Sequence, residues 1–298
     1  MTIRDTIGVY DQSEFADNPE ARCSIVLILD VSESMAGAKI DTVNRALVKF
    51  RDIIREDSVT ALRADVALVE FNHEARVALD FTNGTDFEAP VLSVAGGTNY
   101  SQSVNMALDL IEARKRSYRD GGIAYYRSLA YFLTDGIPTD DDADSLARTA
   151  RRLIAAEENR SVAFFSFMIS DGGGSPDFLI DADTVEQFLR VVGLSYAELS
   201  AAGAFGDGTE GARGLNLGRV AELADTGVPE LMERCVSAGV MRTAVGELTR
   251  LAPRPPVELT DMAQLDGSIQ WLSRSVAAVS QSQPGESIRL PRPDYLNF

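Results

Sequence analysis

Residues 23–30 read CSIVLILD, an almost unbroken apolar run rich in Ile and Val that closes on Asp30. A strand that is apolar on both sides must be covered on both sides, so it belongs at the centre of a parallel sheet. Two more such runs follow: SLAYFLTDG (128–136), again ending in an aspartate, and SVAFFSFMIS (161–170). PPVELT (255–260) reads as a short strand. ADVALVEFN (64–72) and ARVALDF (75–81) are strand-like runs joined by a short connection, which predicts an antiparallel hairpin at a sheet edge.

Helical spacing separates these strands. Ile40, Val43, Leu47 and Phe50 mark a helix over 40–56, and Val104, Ala107, Leu108 and Ile111 a second one beginning at GGTNYSQS. Asp144 is placed to cap a third, with Leu146, Ala150 and Leu153 facing inward. Leu265, Ile269, Leu272, Val276 and Val279 mark the last, with Trp271 at its edge. Alternating strands and helices predict an α/β fold: a doubly wound, mostly parallel six-stranded sheet with one antiparallel edge strand.

Residues 171–240 break the rhythm. After a DGGGSPD linker come helical segments and a glycine-rich stretch, GAFGDGTEGARGLN, with no strand signal. Ser195 and Glu198 have capping-box spacing, and Pro229 suits a first helical turn. The expected organisation is an N-terminal arm (1–21), an α/β domain (22–170 and 241–282), a helical insertion (171–240) and a polar tail (283–298).

The 28 Lys and Arg against 45 Asp and Glu leave a net charge of −17, to which the insertion contributes −8. Such a surface repels phosphate backbones, which argues against nucleic-acid and anionic-membrane partners. No apolar run approaches the roughly 18 residues of a membrane span, and the first residues hold no apolar signal core. Cys23 and Cys235 read as reduced core thiols, and the expected compartment is the cytoplasm. The single histidine, His73, falls in the hairpin turn and is expected exposed, at the far end of the sheet from the site below.

Ligands of open α/β sheets sit outside the carboxyl ends of the strands. There the sequence offers Asp30, Ser32 and Ser34 in DVSESM, Thr98 in the glycine turn, and Asp135 in TDGIPTD. These are carboxylate and hydroxyl oxygens without sulfur or imidazole, a set that selects Mg²⁺, Mn²⁺ or Ca²⁺ over zinc or copper. The neighbouring TDDDAD (139–144) reads mainly as helix-capping chemistry; it lacks the glycine and distal glutamate of an EF-hand loop.

DVSESM, GGT and TDGIPTD resemble the metal-ion-dependent adhesion site (MIDAS) of von Willebrand factor type A (vWA) domains, whose fold is Rossmann-like. The motif is D-x-S-x-S, a distant Thr and a distant Asp, and all five positions match. The resemblance implies that Ser32, Ser34 and, in some states, Thr98 contact a divalent cation, most simply Mg²⁺, with Mn²⁺ and Ca²⁺ as alternatives. It implies that Asp30 and Asp135 act mostly through waters, and that an open position accepts a partner protein's carboxylate. GGTNYSQSVNMALDLI, LTDGIPTDD and WLSRSVAAVSQSQPGE are most similar to bacterial TerY-type proteins of the tellurium-resistance branch. That similarity implies a non-enzymatic scaffold in a stress-response system, beside phosphatase- and kinase-like proteins of the same gene cluster. The competing reading is a metal-dependent hydrolase or phosphatase using the same site.

Overall fold

The computed structural model describes residues 15, 17–170, 178–180, 184–204 and 215–291. The chain divides into two compact units, Met1–Ser170 with Leu248–Phe298, and Asp171–Glu247. In chain order the first unit begins with β1 (Cys23–Asp30), α1 (Ala38–Glu56), α2 (Ser58–Arg63), β2 (Ala64–Phe71) and β3 (Ala75–Asn83). α3 (Tyr100–Asp120), β4 (Ser128–Thr134), α4 (Ala143–Glu158) and β5 (Val162–Ile169) follow. The second unit holds β6 (Phe178–Leu179), α5 (Val185–Val192), α6 (Tyr196–Ala201), α7 (Leu217–Leu223), α8 (Val228–Ser237) and β7 (Arg242–Thr243). The chain then runs through α9 (Ala244–Leu251) to β8 (Val257–Leu259) and α10 (Met262–Ser280).

The six-stranded sheet has the order β3-β2-β1-β4-β5-β8. Every pairing in it is parallel except β2 with β3, so the antiparallel strand lies at the edge as its half-exposed pattern requires. All eight residues of β1 are buried, which is why the run carries no polar face. Cys23, Ile25, Leu27 and Leu29 point into one core with Val43, Leu47 and Phe50 of α1 and Leu265, Leu272 and Val276 of α10. On the other face Tyr100 of α3 packs edge-on against Phe71 and Phe132. Strand order reverses between β1 and β4, and their carboxyl ends therefore open a crevice.

Three expectations change. The cap of α4 is Asp142, whose carboxylate accepts from Ser145 N at 2.8 Å, while Asp144 sits inside the first turn. Trp271 is only 2% exposed; it packs on Phe165 and Phe167 and donates its indole N–H to Pro291 O at 2.7 Å, which ties the tail to α10 midway along its length. The second unit, read as purely helical, contains the two-stranded β6–β7 pairing, whose two-residue strands are too short to show a periodicity. Its helices otherwise follow the pattern. They share their own core of Phe188, Leu199, Leu217, Val220, Leu231 and Cys235, the Ser195–Glu198 capping box forms, and Pro229 sits in the first turn of α8. The DGGGSPD linker and residues 205–214 of the glycine-rich stretch lie outside the described residues. Both cysteines are buried and unbridged, and burial pushes the Cys23 thiol up to about 12.

At the amino-terminal end of β2, Asp65 is fully buried and accepts from Arg114 Nη2 at 2.7 Å and Tyr118 Oη at 2.6 Å, with Arg22 Nη1 at 3.5 Å. A buried guanidinium left without its carboxylate is costly. Asp65→Ala should lower folding stability by about 3 kcal/mol, read by urea denaturation.

Candidate metal centre

β1 ends on Asp30, fully buried, and the turn after it is shaped by that side chain: Asp30 Oδ1 accepts from Ser32 N at 2.8 Å. A 3₁₀ turn follows over Glu33–Met35, with Met35 fully buried as its anchor. Gly37, at φ +78°, then reverses the chain into α1 in a conformation side chains rarely adopt. The turn thus points both serines back over the strand end. Ser32 Oγ and Ser34 Oγ are 3.0 Å apart, and Ser34 Oγ donates to Asp135 Oδ1 at 2.6 Å. Because the Ser34 proton is committed to Asp135, Ser32 is the donor between the hydroxyls. Each serine oxygen keeps a lone pair for another ligand.

β4 supplies the other half. Thr134 donates its hydroxyl to Asp30 Oδ2 at 2.5 Å, and Asp135 is the next residue. Parallel pairing of β1 with β4 brings these groups together across about a hundred residues of chain. Burial, and then the Asp135 charge, push the Asp30 carboxyl up to about 7, against hydrogen bonds from Ser32 and Thr134 that favour its ionised form.

Thr98 is buried and arrives on the loop before α3. That loop is tied to the serine turn through its backbone: Ala95 N donates to Val31 O at 2.8 Å and Glu33 N to Gly96 O at 3.1 Å. The TDDDAD segment fixes its other side. Asp140 Oδ2 accepts from Thr98 N at 2.9 Å, and Asp141 accepts from Tyr100 N at 2.7 Å and Ser101 N at 3.0 Å. A Cβ at Gly97 would lie 2.1 Å from Asp140 Oδ2, so a side chain there would push the Asp140 carboxylate off Thr98 N. These aspartates are occupied in holding the loop, in accord with the capping reading of the segment.

Lys39 was not singled out from the sequence. Its ammonium donates to Asp135 Oδ2 at 2.7 Å and reaches Ser34 O at 3.4 Å, with the side chain only 15% exposed. It comes from the first turn of α1, two residues after Gly37, and only the closed turn brings it back to the strand end. Asp135 thus receives a hydroxyl on one oxygen and a cation on the other.

His73 corrects another expectation. It is exposed in the hairpin turn, but β2 runs parallel to β1 and Asp30 registers with Phe71, so the turn lies at the same end as the serines. A Cβ on Gly96 would sit 2.4 Å from His73 Nδ1. The imidazole makes no hydrogen bond to Ser32 or Ser34 among the described residues.

The family model of the von Willebrand factor type A domain matches residues 24–188. The chain belongs to that family. Human inter-alpha-trypsin inhibitor heavy chain H4 is 26% identical over 159 residues, 49% of this chain and 16% of that protein's length. Among solved structures, the vWA domain is similar to a von Willebrand factor type A protein from Catenulispora acidiphila (18% identity, 51% of this chain and 34% of that one, TM-score 0.39). A second is the vWF domain of the type V pili tip protein Mfa5 from Porphyromonas gingivalis (14% identity, 90% and 99% covered, TM-score 0.43). A third is proximal thread matrix protein 1 from the mussel byssus with a zinc-occupied MIDAS motif (13% identity, 51% and 37% covered, TM-score 0.36).

Two buried carboxylates and two convergent hydroxyls, with Thr98 on a loop tethered beside the serine turn, are oxygen groups of the kind a hard divalent ion would take. The raised Asp30 carboxyl carries a sign. An acid whose folded pKa lies above its unfolded value retains a proton that the unfolded chain has lost. Stability of the metal-free protein therefore falls as pH rises from about 4 to about 7 and levels off above. The slope from this one group is at most about 1.4 kcal/mol per pH unit. Thermal melts in EDTA should show that decline in wild type and a shallower one in Asp30→Asn.

Proposed function

We propose that this protein is a metal-dependent protein-interaction module. Asp30, Ser32, Ser34, Thr98 and Asp135 would hold a divalent cation, Mg²⁺ being the expected one, that receives an acidic side chain from a partner. The observation that carries the reading is the hydrogen-bonded chain from Ser32 through Ser34 to Asp135 beside the buried Asp30. When bound, the ion supplies a strong, directional positive charge for a carboxylate. The protein's part is to present hydroxyl lone pairs, to keep two carboxylates close without a full set of protein ligands, and to hold the loop bearing Thr98 against the strand ends.

Lys39 adds a feature of this chain. Its ammonium is the counter-charge for Asp135, so the buried carboxylate is compensated without an ion. An incoming divalent cation meets that positive charge at short range, and the site binds metal less tightly than its carboxylates alone would allow. Lys39→Met should tighten Mg²⁺ or Mn²⁺ binding about tenfold by calorimetry and lower the melting temperature in EDTA. Weaker metal binding in the variant would mean that Lys39 acts only to position Asp135.

The finer placement, a cytoplasmic TerY-type scaffold in a stress-response system working with phosphatase- or kinase-like proteins, is supported by the similarity of the GGTNYSQSVNMALDLI, LTDGIPTDD and WLSRSVAAVSQSQPGE segments. The test is capture of partners from native cells on immobilised protein. Partners retained with Mg²⁺ should be lost in EDTA and on Ser32→Ala/Ser34→Ala. Retention that ignores both would overturn the proposal.

A second reading, metal-assisted hydrolysis, draws support from the position of the His73 turn at the metal end of the sheet. Hydrolysis of p-nitrophenyl phosphate or acetate that needs Mg²⁺ or Mn²⁺ and disappears on Ser32→Ala/Ser34→Ala would favour it over the binding module.

A further inference from the structure

At the opposite end of the sheet, where β4 and β5 begin, lies a cavity of about 550 Å³. That volume is typical of small-molecule sites. Its walls carry four cations, Lys115, Arg127, Arg160 and Arg254, and one acid, Glu286, in a chain whose net charge is −17. Tyr125, Tyr126, Phe165, Ile288 and Leu290 supply aromatic and aliphatic surface between them.

The cations are under-compensated. Arg127 and Arg254 share one carboxylate, Glu157, at 2.8 Å each. Lys115 is only 7% exposed, yet its ammonium donates to the carbonyl and hydroxyl of Ser161 and, among the described residues, meets no carboxylate. It lies 5.6 Å from the centroid of the Tyr125 ring, as the Arg254 guanidinium lies 5.1 Å from that of Phe165. Arg160, exposed at φ +54° on the turn after α4, donates its backbone N–H to Glu157 O at 2.9 Å, while its guanidinium forms no hydrogen bond or ion pair among the described residues. Burial, then Arg127 and Arg119, bring the Lys115 ammonium down to about 8, which is the cost of an unmatched buried charge in a cationic neighbourhood. Positive charge without matching negative charge in a partly enclosed cavity attracts an anion.

We propose that this cavity binds a small organic anion, a carboxylate or phosphate headgroup on an apolar body. The headgroup meets Lys115 and Arg160, and the body lies against Tyr125 and Phe165. The site stands apart from the metal centre, because the two lie at opposite ends of the same strands.

The probe is 8-anilinonaphthalene-1-sulfonate, an anionic apolar dye, titrated by fluorescence in EDTA so that the metal centre plays no part. Saturable binding is expected, with decanoate or hexyl phosphate displacing the dye and 1-decanol failing to do so; whichever displaces it names the headgroup. Lys115→Met should weaken dye binding at least tenfold. Arg160→Gly should weaken it severalfold while preserving the fold, since glycine accepts the left-handed backbone at that position. Ser32→Ala/Ser34→Ala should leave it unchanged. No binding, equal binding to wild type and Arg160→Gly, or equal displacement by decanol would overturn the assignment, and none of these results bears on the metal centre.

Discussion

The hydrogen bond from Thr134 to Asp30 joins the ends of two neighbouring parallel strands at the point where strand order reverses. The positions of Asp30, the serine turn and Asp135 depend on that contact. It fixes one Asp30 oxygen while the other shapes the serine turn, and it places Asp135 one residue beyond the strand, within reach of Ser34. Tyr100 reinforces it from α3, since its hydroxyl donates to Gly136 O and packs over Phe71 and Phe132. The aromatic core under the sheet and the polar chemistry above its end are therefore one construction.

The same end shows how a protein can keep two carboxylates buried close together. Asp30 is held by Ser32 N and the Thr134 hydroxyl, and Asp135 by the Ser34 hydroxyl and Lys39. Neutral donors hold one carboxylate and a cation sits on the other. The loop with Thr98 is held separately, through Asp140 and Asp141, which act on backbone N–H groups.

The two ends of the sheet have opposite electrostatic characters. The carboxyl ends gather the carboxylates and hydroxyls of Asp30, Ser32, Ser34 and Asp135; the amino ends gather Lys115, Arg127, Arg160 and Arg254 around a cavity. Asp65 and Arg114 also lie at the amino ends, as a fully buried ion pair with Arg22 beside it. Arg114 there meets a carboxylate directly, whereas the neighbouring Lys115 meets only the oxygens of Ser161.

Much of this was legible without coordinates. Short continuous apolar runs rich in β-branched and aromatic residues mark β1, β4 and β5 as strands covered on both faces, and α1, α3 and α10 declare their buried stripes by spacing. The gathering of Asp30, Ser32, Ser34 and Asp135 was legible because they cluster at the carboxyl ends of β1 and β4, where a sheet of this class leaves side chains free. Lys39 was not, because its position in the site depends on how the Gly37 turn closes. Nor was the orientation of His73, which follows from the parallel register of β1 with β2, or the charge-lined cavity, whose residues come from α3, the turn after α4 and the segments before β4 and β8 and after α10. Local periodicity and turn chemistry determined the elements and the donor atoms. Tertiary packing alone decided which charges meet, because Coulomb and hydrogen-bond energies depend on distances across the fold that no spacing along the chain encodes.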